Sequence, residues 1–545
     1  MSDIHENESL SFIDALFLYV EQPGAPVNVA SVMAFEGLIP LDECMEYVES
    51  KLPQIPRFLQ RPVTTPFCAG PPTWQYDPHF DVRHHVHEIT LKRGTDTEWK
   101  AAVSAILSTH LDRSRPLWEI TLLHGLKSQR TGVVVKVHHC MVDGVAGVAM
   151  LHVLLDPSSV APPLYHKKPS FPAVPPPHDP GTALLDGLIS TCFSTAQALL
   201  TAHSELLRLA QQATASRSET HANRTQSSIG ALAQIAPLGN LANLLSELAQ
   251  PTERLPFNVL CHGPQKFDWA EIPMAEIVAV KQACEATVNE VVLTVLSMAL
   301  QRYAELHTLN VKGRKLRIVV PVNVRQNGDA SVAGNQITFL PVDIPCSVRE
   351  PRAFLSLVQE RVKFSRTAHG AELVGLLGVL LGALPTTLQS LVGSVLSQLP
   401  ISVCNSICTN VHGPKTPLYL LGHKMVSTYP YVPIGGEMGM NCAVMSYDGT
   451  LFVGFTGDAK AIPDLRQLAG FFAESFVELR DATGVHIPKK RRSRPKLNVA
   501  VRKTPKVPAA HAGAAPSSDA APRGDTVVPR GEAVPSESSL SAVSA

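Results

Sequence analysis

The sequence predicts an α/β fold, because short β-branched segments alternate with amphipathic segments twice along the 545 residues. The first alternation runs to about Asp156, and the second begins at Phe257. Between residues 157 and 177 the composition shifts to proline and lysine, which is typical of a semi-rigid connector. The chain therefore has two α/β domains with a boundary between them.

Four parts follow from this pattern. Residues 1–160 form the first domain, and residues 255–486 form the second. Residues 161–254 form a proline-rich and helical linker, whose apolar stripe either packs on the domains or faces a membrane. Residues 487–545 begin with the basic run KKRRSRPK and continue in Pro, Ala and Ser without periodicity, which predicts a disordered tail.

Caps, breakers and hydrophobic spacing locate the elements of the first domain. Ser11 is a candidate N-cap for the first helix, and Pro23 follows its end. Strands are recognised as short runs rich in Val, Ile and Thr. We predict helices over residues 11–21, 41–52, 99–111 and 144–155, and strands over residues 28–37, 80–91, 115–124 and 133–137.

The second domain is located in the same way. Pro321 interrupts one strand pattern, and Tyr447-Asp448-Gly449 predicts a hairpin turn. We predict a long helical region over residues 275–304, helices over residues 352–368 and 465–482, an apolar region over 373–399, and strands over residues 316–324, 402–408, 422–426, 441–446 and 451–455.

Composition argues against several classes of protein. The formal net charge is zero, so no global field favours nucleic acid, and we expect no such partner. Ten cysteines occur without a CxxC pair, which argues against a zinc site and a disulfide framework. The polar start MSDIHENESL lacks a signal peptide's apolar segment, so we expect a cytoplasmic protein. The apolar stretch 373–384 is too short to span a bilayer, which leaves peripheral membrane association open.

Residues 132–150, GVVVKVHHCMVDGVAGVAM, carry the densest cluster of reactive side chains. A buried strand delivers His138 and His139 to a strand-to-helix turn, where side chains can reach a cleft. Successive strand side chains point to opposite faces, so only one of these histidines can enter a given cleft. A neutral imidazole there is suited to taking a proton from a hydroxyl group.

Other interpretations of these side chains are weaker. A metal site would need converging ligands, whereas adjacent histidines on a strand diverge. Cys140 beside His139 suggests a Cys-His nucleophile, but neighbours on an extended chain do not face each other. His84, His85 and His87 could form a metal cluster, although solvated histidines at a strand edge are the more common case.

The segment HHCMVDG resembles the HHxxxDG motif of the CoA-dependent acyltransferase superfamily, which includes chloramphenicol acetyltransferase and peptide-synthetase condensation domains. Other segments resemble signatures of the bacterial wax ester synthase/diacylglycerol acyltransferase family. These are Ser11-x-x-Asp14 with Phe17-Leu18, RPLWE at 115–119, TVNEVV at 287–292 and TNVHGP at 409–414. The resemblance covers residues 11–482. Glu290 replaces the family's usual aspartate, and Asn323 replaces its usual serine.

The resemblance implies two pseudo-symmetric, chloramphenicol-acetyltransferase-like α/β domains joined by the helical linker, with the active site in a tunnel between them. It implies an O-acyltransferase that moves a long-chain acyl group from acyl-CoA to diacylglycerol or a fatty alcohol, and a peripheral contact with a membrane or lipid-droplet surface remains open. No cofactor and no metal are expected, since acyl-CoA is a substrate. A condensation-type enzyme with a carrier-bound donor and a non-catalytic lipid-binding protein are the alternatives.

The resemblance also implies residue roles. His139 would be the catalytic base, while His138 would pack. Asp143 would hold the loop through an arginine such as Arg57 or Arg61.

Other residues would support the site or bind substrate. Gly144 would leave room for the CoA arm, and Asn289 would position His139 or donate to the oxyanion. The substrate-binding candidates are Pro116, Trp118, Asn410 and Gly413.

Overall fold

The computed structural model describes residues 8–127, 129–160, 187–193, 195–197, 200–201, 204, 252–307, 309–323, 337–346, 349–367, 370–398 and 404–485. These residues belong to one compact unit, Met1–Ile487. Most of the predicted linker and the whole of the predicted tail, residues 487–545, lie outside the described residues, so the linker and the tail stay predictions.

The first half of the chain alternates strands and helices as predicted, and it also has two short strands that were not predicted, Gln60–Val63 and Thr73–Tyr76. Ser11 caps the first helix, because its side chain accepts a hydrogen bond of 3.1 Å from the backbone N–H of Asp14. Its helices are α1 (Phe12–Val20), α2 (Leu41–Lys51), α3 (Asp96–Leu107) and α4 (Gly144–Leu154), and its strands are β1 (Asn28–Glu36), β2 (Gln60–Val63), β3 (Thr73–Tyr76), β4 (Val86–Thr90), β5 (Trp118–Leu126) and β6 (Arg130–His138). Helix α3 begins earlier than predicted because Thr95 caps it.

The second half repeats the alternation and includes three strands that were not predicted, Gln265–Pro273, Ile337–Pro345 and Tyr419–Leu420. Its helices are α5 (Met274–Ala283), α6 (Val288–Leu306), α7 (Pro351–Thr367), α8 (Gly370–Gly382), α9 (Thr386–Leu396) and α10 (Leu465–Ala482). Its strands are β7 (Gln265–Pro273), β8 (Lys315–Asn323), β9 (Ile337–Pro345), β10 (Ser406–His412), β11 (Tyr419–Leu420), β12 (His423–Tyr431), β13 (Met440–Tyr447) and β14 (Thr450–Asp458).

Two six-stranded mixed sheets, each with its own hydrophobic core, organise these elements. The first has the order β11-β12-β1-β6-β5-β4, and the second has the order β7-β14-β13-β10-β8-β9. Strand β12 comes from the second half of the chain but pairs antiparallel with β1, for example Val32 with Tyr429. The first sheet is therefore completed by residues far away in sequence, and both halves of the chain contribute strands to it.

The long helical region predicted over residues 275–304 consists of two helices, α5 and α6. Glu285 has a left-handed backbone (φ 50°), which ends α5. Thr287 then caps α6 in a capping box with Glu290, and the two helices meet at 99°. The cap at Thr287 therefore starts a new helix, although the apolar periodicity of the sequence continues across this position.

The predicted hairpin is present between β13 and β14. Asp448 and Gly449 both have positive φ angles, of 40° and 80°. Such a turn matches the right-handed twist of the flanking strands, and the Asp-Gly pair tolerates it.

Within the described residues, no single helix combines the length and apolarity needed to cross a bilayer. Among the described helices, α5 and α6 taken together reach that length and composition, and they are sharply bent against each other.

Candidate active site

The end of β6 sorts its side chains onto two faces. Val135, Val137 and His139 line a cavity, whereas Lys136 and His138 are buried on the other face. The amine of Lys136 donates to the carbonyl of Ile106 in the last turn of α3. The strand period of two therefore gives the two histidines different surroundings, as the sequence predicted.

The cavity has a volume of about 460 Å³ and a mainly apolar wall from both halves of the chain. This size and character suit a small-molecule site. The first half contributes Val29, Ala30, Ser31, Val135, Val137, His139, Val142, Asp143, Gly144, Gly147, Val148, Met150 and Leu151, and the second contributes Pro321, Thr409, Asn410, Val411, His412, Pro430, Tyr431, Val432 and Met445. Pairing between β8 and β10 covers only Ser406 with Ile318 and Ile407 with Val319, so the strands part before Pro321 at the cavity wall.

His139 is held from its backbone and from one ring face. Its N–H donates to the carbonyl of Val27 at 2.9 Å, and its imidazole stacks on Phe17 with ring centroids 4.0 Å apart. Burial lowers the pKa of His139 to about 4, and the charge of Asp143 opposes this by raising it. The imidazole is therefore neutral at pH 7, which is the form a general base needs.

His138 lies within the protein interior. Its Nδ1 accepts a hydrogen bond of 3.2 Å from the backbone N–H of Cys140, and its Nε2 lies 3.5 Å from Oε1 of Glu21. The Nδ1 contact fixes the tautomer with the proton on Nε2 in the neutral ring. Burial lowers the pKa of His138, while Glu21 raises it. This geometry is that of a packed, orienting histidine.

Glu21 is a site residue that the sequence reasoning missed. One carboxylate oxygen accepts from the backbone N–H of Val27 at 3.0 Å, and the other accepts from Arg113 at 2.7 Å. Burial opposes its ionisation, but His138, Val27 and Arg113 together hold the pKa of Glu21 well below its usual range. The available signal was an acidic residue at the C-terminal end of α1, where a negative charge opposes the helix dipole.

Asp143 is buried and caps α4. Its Oδ1 accepts a hydrogen bond of 2.8 Å from the backbone N–H of Ala146. The guanidinium of Arg57 donates to Glu8 and Gln60, and that of Arg61 donates to the carbonyl of Ser114. Asp143 therefore holds the turn by capping α4, and neither Arg57 nor Arg61 is the partner that this cap uses. The charge of Asp143 also acts on His139.

Gly144 follows at the first turn of α4 and lines the cavity. A Cβ at this position would lie 2.9 Å from Cγ2 of Val411 on β10. The glycine thus permits close approach of the two halves, whereas its predicted role toward the CoA arm stays a prediction.

Asn289 and Asn410 come from different motifs and meet in the structure. The side-chain amide of Asn410 donates to Oδ1 of Asn289, which lies in the first turn of α6. Asn410 lines the cavity with His139. The second half of the chain therefore reaches the cavity through Asn410, with Asn289 behind it.

Glu290, one of the two departures from the family pattern, has a local role. Its Oε2 accepts from the backbone N–H of Thr287 at 2.7 Å, while Thr287 Oγ1 accepts from the N–H of Glu290 at 3.2 Å. The longer glutamate side chain closes the capping box of α6. The side chain of Asn323, the other departure, lies outside the described residues.

Pro116 and Trp118 are buried beside the core and are not among the described residues that line the cavity. Trp118 is fully buried, donates from Nε1 to the carbonyl of Phe58 at 2.8 Å, and stacks on His85. The carbonyl of Leu117 accepts from the N–H of His138 at 2.9 Å. These positions support a framework role at the end of β6, whereas the predicted contact with substrate stays a prediction.

Gly413 and Cys140 are also placed by packing. A Cβ on Gly413 would lie 2.3 Å from the carbonyl oxygen of Ser446, so the glycine allows β10 and β13 to approach. Burial raises the pKa of the Cys140 thiol well above its usual value, which disfavours a thiolate nucleophile. Among the residues that the structure describes, no group of three or more His, Cys, Asp or Glu side chains is arranged to hold a metal ion.

The chain forms two mixed sheets, and strand β12 from its second half completes the first of them. Both halves line the cavity that carries His139. This arrangement is that of the two-lobed α/β acyltransferase fold. A wax ester synthase/diacylglycerol acyltransferase from Marinobacter aquaeolei is similar, with a TM-score of 0.57 and 22% identity over 88% of this chain and 100% of that chain. The first condensation domain of the calcium-dependent antibiotic synthetase is also similar, with a TM-score of 0.53 and 15% identity over 88% of this chain and 97% of that one.

Sequence comparison is more specific. The wax ester synthase/diacylglycerol acyltransferase catalytic domain matches residues 10–292, and the C-terminal domain of the same family matches residues 333–480. Two probable diacylglycerol O-acyltransferases of Mycobacterium tuberculosis, tgs1 and tgs2, are each 26% identical, over 84% and 87% of this chain and 93% and 98% of their own lengths. The chain belongs to the wax ester synthase/diacylglycerol acyltransferase family and is an acyltransferase.

Proposed function

We propose that this protein transfers a long-chain acyl group from acyl-CoA to the hydroxyl group of diacylglycerol or a fatty alcohol, forming triacylglycerol or a wax ester. The observation that carries the proposal is His139, a neutral imidazole at the wall of a mainly apolar cavity. An apolar wall suits acyl chains, and a neutral imidazole can accept the acceptor's proton. Membership of the family and the names of the mycobacterial relatives support diacylglycerol as an acceptor.

The proposed reaction has two steps. His139 removes the hydroxyl proton as the acceptor oxygen attacks the thioester carbonyl, which gives a tetrahedral oxyanion. The oxyanion collapses, the C–S bond breaks, and the imidazolium returns the proton to the departing CoA thiolate. No acyl-enzyme forms, because the acceptor oxygen itself is the nucleophile.

Other residues set the geometry in this proposal. Glu21 and His138 hold the strand end that carries His139. Asn410, held by Asn289, is the candidate donor to the oxyanion from the second half of the chain. Asp143 anchors the turn as the cap of α4.

The test is CoA thiol release from palmitoyl-CoA with either dipalmitoylglycerol or hexadecanol. His139→Ala should lower the rate by a factor of about 10²–10⁴, because a general base contributes this much. His87→Ala, which removes an exposed histidine, is the matched control. Retained activity in His139→Ala would remove the base from the mechanism.

Two further outcomes address the finer claims. Mass spectrometry of protein mixed with palmitoyl-CoA alone should show no covalent acylation, and an acylated chain would contradict the direct mechanism. A palmitoyl carrier protein should be a poorer donor than palmitoyl-CoA. The reverse order would favour a condensation-type enzyme, and no turnover with either donor would favour a lipid-binding protein.

A further inference from the structure

The loop between β2 and β3 holds a phenylalanine out in solvent. The Phe67 side chain is 87% exposed. Phe67 and the following Cys68 both have left-handed backbones, with φ angles of 55° and 52°. L-residues disfavour this region, so the loop maintains an unfavourable backbone conformation while exposing a large apolar side chain. Such strain is typical of a segment with a function.

A helical segment at residues 187–193 packs beside this loop. The hydroxyl group of Thr191 donates to the carbonyl of Ala69 at 2.6 Å and lies 3.2 Å from Oγ1 of Thr386, the first residue of α9. The β2–β3 loop, the segment 187–193 and helix α9 are therefore neighbours, and each of them exposes large apolar side chains. We define the apolar face as Phe67, Leu188, Phe193, Leu388, Leu391 and Val395, which are 44–87% exposed.

The segments that carry the apolar face have no charged side chains. Residues 62–76, 187–204 and 373–414 contain no Asp, Glu, Lys or Arg. An exposed patch that binds another protein is usually rimmed by polar and charged groups, which supply specificity. A broad apolar face without nearby charges on its own segments instead fits insertion among lipid chains.

The apolar face also lies one helix away from the cavity. A Cβ on Gly393 of α9 would meet Cβ of Tyr19 at 2.8 Å, so α9 packs closely on α1. Phe17 of the same helix α1 stacks on His139. Helix α1 therefore connects the helix that carries part of the apolar face with His139 at the cavity wall.

We propose that the apolar face inserts into the outer layer of a phospholipid surface and docks the enzyme there. The choice of this surface as a source of acceptor rests on the proposed function, whereas the docking itself does not. Phe67 is the deepest contact, because it is the most exposed side chain of the face.

The test uses the full chain and phosphatidylcholine vesicles in a flotation assay, without acyl-CoA. The variant Phe67→Ser/Phe193→Ser/Leu391→Ser should lower the partition coefficient by about tenfold or more, since each substitution removes apolar area from the lipid. Ile89→Ser/Leu306→Ser/Val477→Ser is the matched control, because these residues are 41–48% exposed elsewhere in the fold. The control should float like the unaltered chain.

A turnover assay separates this proposal from the proposed function. With hexanol dissolved in water as acceptor, the face variant should keep its rate, while with dioleoylglycerol in the vesicles its rate should fall with binding. Equal flotation of the unaltered chain and the face variant would overturn docking, whatever the activity. Docking would also be overturned if the unaltered chain were a dimer, the face variant were a monomer, and both floated equally. That result would assign the face to a second copy of the chain.

Discussion

The side-chain amide of Asn410 donates a hydrogen bond to Oδ1 of Asn289, which ties the cavity wall on β10 to the first turn of α6. The two residues are 121 positions apart and belong to separate motifs. Asn410 lines the cavity, and Asn289 is the residue behind it. The pair is therefore expected to act as one unit.

Asn289→Ala and Asn410→Ala should each lower kcat by about tenfold or more. The first change removes the residue that holds the candidate oxyanion donor, and the second removes the donor itself. The double variant should be little worse than the worse single variant, since residues in one network are not additive. The measurement is kcat for acyl transfer from palmitoyl-CoA. Glu290→Gln, which keeps the cap of α6, is the control. If the losses of the two single variants added up fully in the double variant, Asn289 and Asn410 would not act as one unit.

Glu21→Gln should lower the free energy of unfolding by about 1–3 kcal/mol, because it weakens the charge-assisted hydrogen bond that the largely buried Glu21 carboxylate accepts from the half-exposed Arg113. The folded pKa of Glu21 lies below its ordinary value of 4.5. Its stabilisation is therefore present above pH 4.5 and is lost as the pH falls further. Urea unfolding of both proteins at pH 7 and pH 3.5 should show a smaller difference at pH 3.5. Glu43→Gln, at an exposed position on α2, should show no difference at either pH.

The acid limb of kcat/KM should lie near pH 4 and not near 6.5, because burial lowers the pKa of His139 to about 4 from 6.5. The base stays neutral, and active, until the pH falls through the lower value. The stabilisation linked to His139 is likewise present above pH 6.5 and is lost as the pH falls toward 4. Stopped-flow rates between pH 3.5 and 8 measure the limb. Asp143→Asn keeps a capping side chain and should move the limb lower, since the carboxylate raises this pKa. An inflection at 6.5 would contradict the burial of the base.

Gly144→Ala should lower kcat/KM by about tenfold, because its Cβ would come within 2.9 Å of Val411 Cγ2 at the cavity wall. Adding Val411→Ala should restore most of the activity by removing the clashing methyl group. Gly147→Ala is the matched control, since a Cβ there meets no atom within 4 Å. Failure of Val411→Ala to rescue would show that Gly144 is required for another reason, such as room for the CoA arm.

Local signals account for what the sequence predicted well. Ser11 as a cap, the Asp-Gly turn at 448–449 and the helix at Leu465–Ala482 depend on residues within a few positions of each other. Local signals also explain a boundary that the sequence pattern did not reveal. The apolar pattern over 275–304 continues through a helix boundary that a left-handed residue at Glu285 and the cap at Thr287 create.

The sequence by itself determined the α/β alternation, the family resemblance and the unequal surroundings of His138 and His139, because strand periodicity and motif spacing are properties of neighbouring residues. Only the tertiary structure decided that β12 completes the first sheet, that Glu21 supports His138, and that Asn289 holds Asn410. Each of these is a contact between residues more than 100 positions apart, and no local pattern encodes such a contact. The cavity exists because those distant contacts bring the two halves together around His139.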